Sequence, residues 1–200
     1  MTDPMPAGEA KLLAFGGPLA AETSDQALAS ALAGGEPAAL GAIYDRYQAD
    51  VYRFVARMMR GAEVDDIVQN VFLEAHRSAR RFRGDSTLKT WLFGIAANLV
   101  RTSFRREQRR RTATTALLAI PEKPQPSPAD AISDDQRRRW VAAAVDGLSP
   151  ALKEVYVLCV IEELPGKHAA QVLGISEPSV WRRLTDARGA LRSAIEEMQR

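Results

Sequence analysis

Pro121, Pro124, Pro126 and Pro128 fall within eight residues of one another in a chain of 200. Proline has no amide N–H to donate and holds φ near one value, so neither a helix nor an inner strand runs through such a cluster. The chain therefore folds as two parts. On both sides of the prolines, apolar residues recur at three- and four-residue steps, and strand-like alternation is not convincing anywhere. These patterns predict an all-α protein: two small helical domains joined by a flexible proline-rich linker over 112–131.

Residues 1–23 mix Pro, Gly and Ala with scattered acids and read as a mobile extension. The first domain spans 24–111. Its helical pattern starts near Ser24, and Glu36-Pro37 opens a long helix along Leu40, Ile43, Tyr44, Tyr47, Val51, Phe54, Val55 and Met58, ended by Gly61. The next helix, from about Glu63 to Arg80, turns Val64, Ile67, Val68, Val71, Phe72 and Ala75 inward and has acids in its first turn. A loop at Arg83-Gly84-Asp85-Ser86 leads to a helix that begins near Thr87 and becomes arginine-rich.

The second domain, 132–200, starts with a helix ending near 146. Ser149-Pro150 caps a helix over 150–162, and Pro165 opens a short one to Leu173. Gly174 closes that helix and Ser176 caps the last, which runs to about Met198.

The net charge of +2 conceals an uneven distribution. Residues 42–111 hold 15 Lys/Arg against 8 Asp/Glu, whereas the first 41 hold 1 against 5. A basic block suits a polyanion partner, although charge alone is better served by a solvated surface. Cys159 is the only cysteine and sits in an apolar run, so no disulfide framework or cysteine metal cluster is expected. His76 and His168 lie far apart, and no Gly-rich phosphate loop or nucleophile–base pair stands out. The reading is of a protein that is not an enzyme and has no metal or other cofactor. Without an apolar run of membrane length or a secretory start, the expectation is a cytoplasmic protein with no membrane insertion.

Two segments carry the functional signal. Ala169, Ala170, Val172, Leu173, Gly174, Ile175, Val180 and Leu184 supply the small and apolar positions of a helix-turn-helix. The second helix then offers Ser179, Trp181, Arg182, Thr185, Asp186 and Arg188 to solvent or to a major groove. In the first domain, Phe82, Trp91 and Phe93 surround the Gly84 loop, ahead of a helix lined by Asn98, Arg101, Arg105 and Arg106. Aromatic faces stack on unpaired bases while arginines hold the backbone beside them. Phe93 alone is better explained as core.

The strings Asp65-Asp66-Ile67-Val68-Gln69-Asn70-Val71-Phe72-Leu73, Phe82-Arg83-Gly84 and Thr90-Trp91-Leu92-Phe93-Gly94-Ile95-Ala96-Ala97-Asn98 resemble the second region of bacterial sigma factors. Leu148-Ser149-Pro150 through Val180, Arg183, Leu184, Ala187, Arg188 and Leu191 resembles the fourth. With no room for the third region between them, the chain resembles the extracytoplasmic-function (ECF) group. The resemblance implies that Asp65, Asp66, Gln69, Asn70, Phe72 and Glu74 dock on core RNA polymerase. It implies that Arg83, Asp85, Ser86, Thr87 and Trp91 capture a flipped base of the −10 element, and that Asn98, Arg101, Thr102, Arg105 and Arg106 grip the adjoining duplex. Ser179, Trp181, Arg182, Arg183 and Arg188 would meet the −35 element of promoter DNA, and an anti-sigma factor would be a further partner.

Trp181 stands where the family often has Lys or Arg, and Pro165-Gly166-Lys167-His168 replaces a more usual acidic, aromatic-containing entry. Both departures leave the −35 preference open. The rival is a one-component helix-turn-helix regulator that binds duplex DNA without polymerase; the aromatic loop speaks against it, since a duplex reader has little use for base capture.

Overall fold

A computed structural model describes residues 23–59, 61, 63–114 and 134–198, with side chains described outside 111–114 and 134–138. Most of the expected N-terminal extension and of the proline-rich linker lies outside the described residues. Among those described there are helices and no strand. The chain divides into two compact units after Leu99.

The first unit begins with α1 (Asp25–Ala33), whose N-cap Ser24 accepts the Ala27 N–H at 3.2 Å. Leu28, Ala29 and Leu32 bury one side of α1 against α2 (Pro37–Met58). Polar side chains add a strap. Arg46 donates to Asp25 at 2.8 Å and to the Thr23 carbonyl at 2.8 Å, and the Tyr47 hydroxyl donates to Asp25 at 2.6 Å. Along α2 the buried face is Ala39, Ala42, Ile43, Tyr47, Val51, Phe54, Val55 and Met58. It is rotated slightly from the expected stripe, with Ala39 and Ala42 buried, Leu40 half-buried and Tyr44 exposed.

The next helix, α3 (Glu63–Ser78), buries Val64, Val68, Val71, Phe72 and Ala75 and leaves Ile67 only half-covered. A short 3-10 turn, Ala79–Arg81, ends the run that the pattern extended to Arg80. After the loop, α4 (Leu88–Thr114) is capped by Thr87, whose Oγ1 accepts the Thr90 N–H at 3.1 Å. Leu88, Leu92, Phe93, Ala96 and Ala97 enter the core, where Phe93 stacks on Phe54 with centroids 4.9 Å apart.

The second unit takes in α4 from Val100 onward, then α5 (Asp134–Asp146), α6 (Pro150–Tyr156), α7 (Gly166–Leu173) and α8 (Glu177–Met198). Pro150 occupies the first turn of α6, but the Ser149 side chain makes no capping hydrogen bond, so proline geometry and not the hydroxyl starts this helix. The expected helix over 150–162 changes character at Val157–Ile161, where it widens into a π turn. Glu162 N–H reaches the Val157 carbonyl at 2.9 Å and Leu164 N–H the Leu158 carbonyl at 2.9 Å. The wider turn buries Leu158 and Leu164 while leaving Val160 exposed.

Central to this unit is α8. Ala187 and Leu191 pack with Ala144, Val145 and Leu148, while Leu152, Tyr156 and Ile195 lie against that cluster. At the turn between α7 and α8, Gly174 adopts φ 64, a left-handed conformation that suits glycine, and its N–H returns to the carbonyls of Ala170 and Gln171.

Candidate nucleic-acid interface

Helix α4 carries the first candidate surface. Asn98, Arg101, Thr102, Arg105 and Arg106 recur at three- and four-residue steps and so share one face. Trp91 precedes Asn98 by seven residues, which returns it to that face two turns earlier. Asn98, Thr102, Arg105 and Arg106 are exposed. Arg101 differs: it is half-buried, and its Nε donates to Glu154 Oε1 at 2.8 Å within the second unit. That partner was invisible in the sequence, since 53 positions separate the two.

The loop ahead of α4 is held at both ends. Phe82 lies against Trp91 with ring centroids 5.1 Å apart and planes at 47°, which leaves Trp91 half-buried. At the other end, Thr87 uses its hydroxyl to cap α4 and lies 2.9 Å from Thr90 Oγ1. Between these anchors Arg83 and Asp85 are exposed and Ser86 is half-buried. Phe93 is core, as its stacking on Phe54 shows.

A second surface lies on α3. Asp65, Asp66, Gln69 and Asn70 are exposed along one face, and Glu74 is half-buried with Arg77 at 3.9 Å. Phe72 does not join them. It is 4% exposed, with Tyr44 edge-on to its ring at 4.8 Å, so it serves the packing of α3 on α2. Leu73 takes the outward position instead, at 41% exposure. Sequence reasoning missed it, though its three- and four-residue spacing from Asn70 and Gln69 was available.

The third surface is the outer side of α8. Val180, Leu184, Ala187 and Leu191 face inward. Trp181, Arg182 and Arg188 are exposed, while Ser179 and Arg183 are half-buried. Ser176 and Ser179 hydroxyls lie 2.8 Å apart at the start of the helix. Behind it, burial pushes the Cys159 thiol up from its usual value, an effect that the Arg188 charge partly opposes.

Among the described residues, no three His, Cys, Asp or Glu side chains gather as metal ligands would, and no helix is long and apolar enough to cross a membrane. With basic and aromatic side chains on one face of α4 and a helix-turn-helix formed by α7 and α8, these surfaces suit nucleic acid and a protein partner.

Comparison with known proteins finds two matching regions. Residues 43–110 match the Sigma-70 region 2 family and residues 138–191 match Sigma-70, region 4. The chain is 26% identical over 188 residues to the ECF RNA polymerase sigma-E factor of Escherichia coli (strain K12), covering 90% of this chain and 98% of that protein. The corresponding sigma-E factor of Haemophilus influenzae is also 26% identical, with 90% and 100% covered. Among solved structures, CnrH in complex with the cytosolic domain of CnrY superposes with a TM-score of 0.64 at 26% identity, over 88% of this chain and 99% of that one. The sigma factor RpoE, in complex with the anti-sigma factor NepR from Bartonella quintana, gives 0.63 at 20% identity, over 76% and 94%. Together the two matched regions cover more than half of the sequence, so the chain belongs to the extracytoplasmic-function group of the sigma-70 superfamily and is an RNA polymerase sigma factor.

Proposed function

We propose that three surfaces divide the work of promoter recognition. The exposed face of α3, with Asp65, Asp66, Gln69, Asn70 and Leu73, docks on core RNA polymerase. Arg83, Asp85, Ser86 and Thr87, together with Trp91, receive a base turned out of the −10 element. Asn98, Thr102, Arg105 and Arg106 then hold the duplex beside it. In the second unit, Ser179, Trp181, Arg182, Arg183 and Arg188 meet the −35 element. The protein acts in the cytoplasm, where polymerase and DNA are, and opens promoters without catalysing a reaction of its own. An anti-sigma factor is a further partner, a reading supported by the likeness to CnrH, whose structure was solved with another protein's cytosolic domain.

One observation carries the division of labour: Trp91 and the exposed basic residues share a single face of a single helix, immediately after a loop pinned at both ends. Unstacking a base costs a few kcal/mol, which an aromatic surface at a fixed position offsets. In vitro transcription tests the whole reading. Core polymerase with this chain, on pooled genomic promoter fragments, is expected to produce start sites absent with core alone. Binding of the chain to duplex DNA without any new transcript would instead favour a polymerase-independent regulator.

A further inference from the structure

Gly166 opens α7, Trp181 lies early in α8, and the two residues meet. A Cβ placed on Gly166 would stand 2.4 Å from Trp181 Cζ2 and 2.8 Å from Cε2. Carbon atoms rest about 3.5 Å apart or more, so any side chain at 166 would have to displace the indole. The obstacle is a rigid ring system, which does not yield as a flexible side-chain end would. Glu177 Oε1, at 3.0 Å from the same point, narrows the space further. Gly166 is consequently buried, although it is the first residue of its helix.

Trp181 nevertheless remains 49% exposed. The inner face of α8 is already filled by Val180, Leu184, Ala187 and Leu191, so the indole belongs to neither core nor open solvent. It lies against Gly166, at the start of the first helix of the helix-turn-helix. Its place is in the first two turns of the second helix, the part that this motif inserts into the major groove. The path leading into α7 is also unusual: Glu163 takes φ 54, a left-handed conformation uncommon for a residue with a side chain. A widened turn at Val157–Ile161 precedes it.

We infer that Trp181, seated on Gly166, is an apolar base reader that covers a thymine 5-methyl group in the −35 element, and that Gly166 is the positioning residue that sets its angle. The inference rests on α8 being the −35 helix. Indole offers one N–H donor and otherwise apolar surface, which gains most against an apolar target. Thymine is the base that presents a methyl group in the major groove. The two places where this chain departs from its family's usual pattern are thus one feature: a bulky ring on α8 and the missing side chain on α7 that accommodates it.

The test uses holoenzyme formed from core polymerase and the full chain, on a promoter it transcribes, with each −35 thymine replaced in turn by uracil. Uracil lacks only the methyl group. Wild type is expected to lose affinity about fourfold at one of these positions, the burial of a single methyl. Trp181→Ala should bind more weakly and be indifferent to uracil there. Gly166→Ala should show the same indifference because its ring is displaced.

Gly166→Ala should also melt below wild type, whereas Gly166→Ala combined with Trp181→Ala should melt with Trp181→Ala alone. That pairing separates loss of seating from general misfolding. Indifference of wild type to every uracil overturns the inference, as does Trp181→Ala retaining wild-type sensitivity. Gly166→Ala with wild-type melting and wild-type sensitivity removes the positioning role. Wild-type affinity indifferent to every base change in the −35 element, and not to uracil alone, would show that the assignment of α8 to that element had itself failed.

Discussion

Phe72 and Leu73 are neighbours in sequence and face opposite ways, one 4% and the other 41% exposed. Phe72→Ala is therefore expected to cost stability, about 3–5 kcal/mol as for other buried phenylalanines, and to lower the melting temperature. Leu73→Glu should leave melting unchanged and weaken core polymerase binding about tenfold, as loss of an apolar anchor does. Equal polymerase binding by wild type and Leu73→Glu would remove Leu73 from the docking face. Trp91→Ala should bind polymerase normally yet open the promoter poorly; normal permanganate reactivity of the exposed thymines would contradict its role. The sequence placed Phe72 both inward, by its period along α3, and outward, by resemblance. In the fold its ring turns inward, buried against α2 with Tyr44 edge-on to it.

At the scale of elements, local chemistry was legible and tertiary pairing was not. Gly174 and Ser176 announced the turn between α7 and α8 because a left-handed C-cap and a serine start are written in residue type. The π turn at Val157–Ile161 left no such mark, since its wide hydrogen bonds follow from burying Leu158 and Leu164 together. Nor did the strap on α1. Burial first, and then the hydrogen bond to Asp25, hold the Tyr47 phenol well above its ordinary value. An unfolded chain releases that proton near pH 10 while the folded chain keeps it. Tyr47 thus contributes its full stability below about pH 10 and loses it as pH rises beyond. Tyr47→Phe should cost about 1 kcal/mol at neutral pH and soften the alkaline loss; thermal unfolding from about pH 8 to 11 checks it. Parallel profiles would rule it out. On α4, Arg105→Ala with Arg106→Ala should reduce the salt slope of promoter binding by roughly two, one for each phosphate no longer neutralised. An unchanged slope would remove both from the duplex grip.

For the whole molecule, the proline cluster correctly signalled two parts, but the two compact units divide after Leu99, within α4, well ahead of the prolines. A composition change marks where a helix cannot continue, whereas the 27 residues of α4 extend past the division itself. On the proposed roles, two DNA-binding surfaces joined through one chain bind as a tethered pair, whose combined affinity falls slowly with tether length. Doubling residues 115–133 with Gly/Ser sequence should lower promoter affinity only about threefold, from roughly 0.6 kcal/mol of loop entropy. Loss of promoter binding altogether in an electrophoretic shift would show that this stretch does more than connect. The opposite holds inside α4, where Trp91 and Asn98 share one unbroken helix. At about 1.5 Å per residue their backbones lie about 10 Å apart, close to three base steps. On the proposed roles that helix is a ruler: promoters can vary in sequence and in the gap between their elements, but the upstream fork of every bubble this protein opens falls at the same distance from the duplex it grips.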